Sequence, residues 1–228
     1  MKKVLFLSLI LFFFSLFLYP LYNVFSNGVE RGVFSVYFMG EKVGYEEYTW
    51  EEDEQGFLLN VKGKMTKPTT VEVENLVIRL SNDYIAESYE FEGSVNGIPQ
   101  RVSSTIKEGY VQTIVQISGQ EQFLAEKIRR DAFLLPNPIF SPYMVITKKF
   151  RCSPPEKIEL SAYIIPQLEI PFLLEAAKES VCLLQFMIGS TPVALQTNDS
   201  GCLKSLEMPS QKIKVVADSQ TLDISDNE

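Results

Sequence analysis

The chain has 228 residues, 21 basic against 29 acidic, three cysteines and no histidine, with an isoelectric point near 4.8. Acidity without a Lys/Arg block argues against a nucleic-acid partner and against docking on an anionic lipid surface. Without histidine, Ser-His-Asp and Cys-His catalysis lose their base and imidazole zinc sites lose their ligand, so the commonest hydrolase chemistries are excluded.

The first predicted element is an apolar helix. Lys2 and Lys3 precede a nearly unbroken apolar run from Val4 to Leu18, and no further charge occurs before Glu30. Positive charge resists translocation, so the N-terminus is expected in the cytoplasm and everything after residue 28 across the membrane, in the periplasm or cell envelope. Residues 1–27 read as either a signal peptide or a membrane anchor. A cleaved signal has a basic start, an apolar stretch of roughly 7–15 residues and a small-residue site, here Val24-Phe25-Ser26. A transmembrane helix needs about 20 apolar residues, which Val4 to Val24 supplies, with Tyr19 and Tyr22 at aromatic-belt depth. Uncleaved, residues 4–24 make the membrane itself a partner. The first cysteine is Cys152, so no lipid-acceptor thiol follows the apolar run.

From residue 31 to about 118 the hydrophobic period is two. Val33/Ser35/Tyr37 alternate with Phe34/Val36/Phe38, and Gly40 to Gly44 turns the chain into Tyr45–Glu52. Asp53 to Gly56 turns it again, into a run holding Phe57, Leu59, Val61 and Met65. Further runs span Thr69–Leu80, Tyr84–Phe91, Arg101–Ile106 and Tyr110–Ile117. The turn at Asn96-Gly97 is the strongest short hairpin signal. Short turns between regular strands predict an antiparallel meander. Gln120–Arg130 fits strand or helix equally. Leu135 to Phe140 is a proline loop, after which Ser141 reads as N-cap and Pro142 as N1 of a short helix through Phe150. Strands resume at Lys157–Ile165, Leu168–Ala176, Ser180–Ile188, Pro192–Thr197, Cys202–Glu207 and Gln211–Ala217. The expected fold is mainly β: about 11 strands in a strongly curved antiparallel meander, an unclosed β-barrel, around one short helix. It occupies residues 28–217, followed by a polar tail over 218–228.

No constellation carries chemistry strongly enough to assign a catalytic, cofactor-binding or metal residue. Glu46, Glu47 and Glu51 through Glu54 could supply a carboxylate pair for glycoside cleavage or oxygen ligands for calcium. There is no calcium-loop spacing, however, and charge runs are normally exposed, so the cluster reads as a solvated hairpin end. Glu72, Glu74, Glu87, Glu90 and Glu92 follow from strand alternation. Asn198-Asp199-Ser200 is formally a glycosylation acceptor and reads as a turn. Tyr48 and Trp50 share one strand face and Tyr45 the other, which favours cross-strand packing over a ligand wall. In an exported chain disulfides form readily. Cys182 and Cys202 flank a predicted hairpin and are the candidate pair, the alternative being three buried thiols.

The opening Phe34-Ser-Val-Tyr-Phe-Met-Gly-Glu-Lys-Val-Gly-Tyr-Glu-Glu-Tyr48 and the closing Asp199 to Val216, with its Met208-Pro-Ser-Gln211 step, resemble a diffuse group of exported bacterial β-rich proteins. That group is similar to the unclosed β-barrel of the lipoprotein carriers (LolA/LolB-like) and related lipid-handling domains. The resemblance covers roughly residues 30 to 217 and implies no catalytic residues. It implies a curved sheet whose helix plugs the concave face, with Tyr143, Val145, Ile146 and Phe150 toward the cavity and Lys148 and Lys149 toward solvent. The expected function is a non-enzymatic, exported or membrane-anchored envelope protein holding a lipid or other apolar ligand in the half-barrel. The alternative is a structural or interaction module, with an envelope protein as partner and no pocket. A carboxylate-based hydrolase ranks below both.

Overall fold

The computed structural model describes residues 28–154, 156–166, 168–176 and 182–218. The predicted N-terminal helix, and all of the predicted tail but Asp218, lie outside these residues. Among the described residues no helix is long and apolar enough to cross a membrane.

The strands are β1 (Val29–Phe38), β2 (Glu41–Asp53), β3 (Gly56–Met65), β4 (Val71–Leu80), β5 (Ala86–Val95), β6 (Ile98–Lys107), β7 (Tyr110–Ile117), β8 (Gln120–Lys127) and β9 (Phe133–Leu134). After the helix α1 (Met144–Phe150) come β10 (Lys157–Ile164), β11 (Leu168–Ala176), β12 (Leu183–Ile188), β13 (Thr191–Thr197), β14 (Leu203–Met208) and β15 (Ile213–Ala217). These fifteen strands of the described residues belong to one unclosed sheet, ordered β8 back to β1, then β15 back to β9. Two meanders are thus joined where the first strand pairs the last, with Val36 opposite Val215. Among the described residues only β9 on β10 is parallel.

The strand count of about 11 is therefore corrected to fifteen. Gln120–Lys127 is a strand whose side chains are mostly exposed, so it lacks the apolar alternation that marks a strand in sequence. β9 is a two-residue strand that enters the sheet only because β10 lies alongside it.

Curvature comes from bulges and close approaches. The β3–β4 ladder shifts register between Val61 and Gly63, and the β4–β5 ladder between Val73 and Asn75. Glu46, Gly63, Val73 and Gly93 form one row across β2 to β5. A Cβ on Gly63 would lie 2.5 Å from the Tyr45 carbonyl oxygen, and one on Gly93 2.0 Å from that of Glu72. Backbones this close demand glycine, and bulges add local twist, so the row is a crease.

Strands β8 and β9 end the sheet on opposite sides, yet only residues 128–132 connect them. The six Cα steps from Lys127 to Phe133 reach at most about 22 Å, so the sheet curls nearly onto itself at that end. The chain then turns inward. Ser141–Tyr143 is a single 3-10 turn leading into α1. Ser141 does not cap the helix as expected; its hydroxyl is engaged by a sheet residue instead.

Candidate functional site

The concave face and the segment 133–150 that fills it are the place where a ligand or partner would be accommodated. The inward wall is the apolar phase of most of the strands: Leu59, Leu76, Ile78, Leu174, Leu184 and Leu206 have no exposed surface. Phe140, Tyr143, Met144 and Ile146, each at most 1% exposed, are buried against it. Tyr143, Val145 and Ile146 thus lie together in the core, and Phe150 is half-buried at its margin, its ring 6.3 Å from that of Phe133. Burial raises the Tyr143 phenol above its ordinary pKa.

Glu46 fastens the N-terminal side of this plug. It is buried and accepts from the Phe140 N–H at 2.9 Å, the Ser141 N–H at 2.6 Å and the Ser141 hydroxyl. Burial pushes its carboxyl above the ordinary carboxylate range, and the donors from Ser141 and Phe140 pull the other way without cancelling that push. The reading of Glu46 as part of a solvated run is corrected: Glu47, Glu52, Asp53 and Glu54 are exposed, but Glu46 is not. The signal was present. Glu46 shares strand parity with Tyr48 and Trp50, both 4% exposed, whereas exposed Tyr45 has the parity of Glu47.

A second fastening holds α1. Lys148 pairs with Glu30, their side chains only 11% and 13% exposed. The Tyr48 hydroxyl donates to the other Glu30 oxygen at 3.0 Å, and the Lys148 ammonium sits 5.8 Å over the Trp50 ring. The expected solvent-facing Lys148 is therefore corrected, because a partly buried carboxylate on β1 meets it. Lys149 behaves differently, with its ammonium donating to the Asp83 carbonyl at the exposed rim. Near the helix, Thr147 donates to the Gly201 carbonyl at 2.8 Å, tying α1 to the turn before β14. Trp50 also stacks with Phe57 at 5.2 Å, so the aromatic pair of β2 serves packing.

The disulfide joins Cys152 to Cys182 and leaves Cys202 free, correcting the Cys182–Cys202 pairing. The reason is topological. Thr197 on β13 donates its N–H to the Cys182 carbonyl and its hydroxyl to the Cys202 carbonyl, so the two cysteines flank an intervening strand. Two strand spacings are about 9.5 Å, beyond the roughly 7 Å limit between bridged Cα atoms. Cys152, just past α1, reaches Cys182 directly. Asp199 lies beside these two sulfurs, but bridged sulfurs offer no thiolate to a metal. Asn198 accepts from the Ser200 hydroxyl and the Cys202 N–H, a side-chain-closed turn. The Cys202 thiol contacts Ser200 at 3.1 Å, Glu30 at 3.5 Å and Lys148 at 3.6 Å.

Two hydroxyls inside the wall, Ser104 and Thr113, bond each other at 2.8 Å. Among the described residues no buried side-chain nitrogen or oxygen lacks a partner. Grooves of about 340 to 480 Å³ indent the outer face. One of about 450 Å³ is lined by outward Leu173, Met187, Pro192 and Ala194. No protein family, curated protein or solved structure matches the chain.

Proposed function

We propose that this chain is a non-enzymatic protein of the cell envelope that acts as a structural and interaction module rather than as a lipid container. The observation that carries the reading is the filled concave face: Phe140, Tyr143, Met144 and Ile146 occupy the space an acyl chain would need, each at most 1% exposed. The basic start and apolar run of residues 1–27 support export or anchoring. The Cys152–Cys182 bridge supports an oxidising compartment.

The test is photocrosslinking of the full chain with a diazirine-bearing fatty acid, the sites mapped by mass spectrometry. The module reading expects no adduct on inward residues such as Leu59 or Ile146. Adducts there would replace it with the lipid-holding reading. One observation favours that second reading: beneath the plug the wall is mostly apolar, interrupted by Glu46, Ser104 and Thr113, so withdrawal of segment 133–150 would leave a largely acyl-compatible trough. Ile146→Ala, which trims the plug, would then raise fatty-acid uptake while the sheet stays folded.

A further inference from the structure

We propose that the edge strand β8 pairs with β8 of a second copy of this chain, antiparallel and centred on Leu124, so that the domain is a dimer joined by a continuous sheet.

The backbone phase of β8 is set by its turn. Ser118 and Gly119 have φ of 51° and 80°, the two-residue turn whose flanking residues, here Ile117 and Gln120, exchange hydrogen bonds. The Ile128 N–H donating to the Gly109 carbonyl at 2.8 Å lies on the same ladder phase. Gln120, Gln122, Leu124 and Glu126 therefore spend their backbone groups on β7. Glu121, Phe123, Ala125 and Lys127 aim theirs at the free edge. The ladder to β7 runs through all eight residues without a bulge, and β8 contains no proline.

The opposite edge is protected. β9 is two residues long, and the Arg129 guanidinium lies against β10, within 3.5 Å of the Glu159 carbonyl. Natural sheets shield edges by such means because an open edge recruits another strand. On β8 the flanking outer surface is apolar instead: Phe123 is 62% and its cross-strand neighbour Ile114 43% exposed.

Charge selects the occupant and the register. Centring on Leu124 places Glu121 opposite Lys127 of the second copy, twice by symmetry, and Phe123 opposite Ala125. Both pairs sit at positions whose backbone groups are free. Centring on Phe123 sets Glu121 against Ala125, and centring on Ala125 sets Phe123 against Lys127, so neither neighbouring register makes a Glu–Lys pair. Within Gln120–Lys127 the strand is thus complementary to itself in one register. This interface is independent of what the concave face holds, and fatty-acid adducts inside the sheet would leave it standing.

The test is analytical ultracentrifugation of the full chain in detergent micelles over a concentration series, with circular dichroism to verify folding. Wild type is expected to dimerise. Glu121→Lys and Lys127→Glu alone should each weaken the dimer about tenfold or more, since opposed like charges replace two attractive cross-strand pairs. Mixing the two variants should restore it, because each introduced charge then faces its opposite. Ala125→Pro removes one free-edge donor without touching the β7 ladder and should abolish dimerisation; if it does not fold, the charge variants decide. A monomeric wild type would leave the edge to an extended strand of another protein and overturn the proposal. So would a dimer indifferent to both charge reversals, or no gain on mixing.

Discussion

The Glu46 carboxylate on β2 accepts both the backbone N–H and the hydroxyl of Ser141, joining the first meander to the first turn of the plug. Because the carboxylate is also the acceptor for the Phe140 N–H, one side chain satisfies three donors that the buried turn cannot pair within itself. A buried donor left unpaired costs about 1–3 kcal/mol. Glu46→Ala should therefore lower stability by roughly 3 kcal/mol in chemical denaturation, whereas Glu46→Gln, which keeps an acceptor oxygen, should cost about 1 kcal/mol. Equal losses would mean that volume, not acceptance, is what Glu46 supplies.

The same residue sets a pH dependence. Its folded pKa is raised from an ordinary value of 4.5, so folding binds a proton in the window between the two values. The contribution to stability is then full below pH 4.5, falls as pH rises through the raised folded pKa, and is level above it. Denaturation midpoints of wild type should fall relative to Glu46→Gln across that window. A constant difference at every pH would refute the raised pKa.

Lys148→Ala should cost about 2 kcal/mol, somewhat less than the roughly 3–5 kcal/mol for breaking a fully buried pair, because Glu30 loses its cation in a site nearly closed to water. Lys149→Ala, at the rim, should stay within about half a kcal/mol. In a double-mutant cycle, Lys148→Met with Glu30→Gln should cost less than the sum of the single changes. Strict additivity would show the two side chains to be uncoupled.

Alkylation of the unreduced protein should label Cys202 and neither of the other cysteines, since Cys152 and Cys182 are bridged. Cys152→Ser should cost about 2–4 kcal/mol, the usual range for a lost native disulfide, and make Cys182 reactive. Cys202→Ser should retain the bridge. Peptide mapping that finds Cys152 as the labelled thiol would reinstate the Cys182–Cys202 pairing.

Much of the sheet was legible because period-two alternation is a local property. Val71, Val73, Leu76 and Ile78 read as a strand, and they are buried on β4, with only the bulge near Asn75 altering the phase. β8 was ambiguous for a physical reason: at an edge, neither face is fully buried, so selection for alternation is weak and Phe123, Leu124 and Ala125 fall together. Glu46 was misread because a charge run suggests solvent, although its parity with Tyr48 and Trp50 placed it inside. The partial burial of Lys148 had no local signal at all, since its carboxylate partner lies 118 residues away.

By itself, the sequence determined that the chain begins with an uncharged apolar segment behind two lysines, that it lacks the imidazole on which the commonest hydrolase mechanisms depend, and that most of it alternates as strands joined by tight turns. Each of these is a matter of composition or of neighbours within a few residues. Tertiary structure alone decided that β1 closes on β15, that Cys152 rather than Cys202 reaches Cys182, and that Glu46 and Glu30 turn inward to hold the plug. Those outcomes depend on which strands become neighbours once the sheet curls, and strand order is set by the packing of the whole wall around segment 133–150.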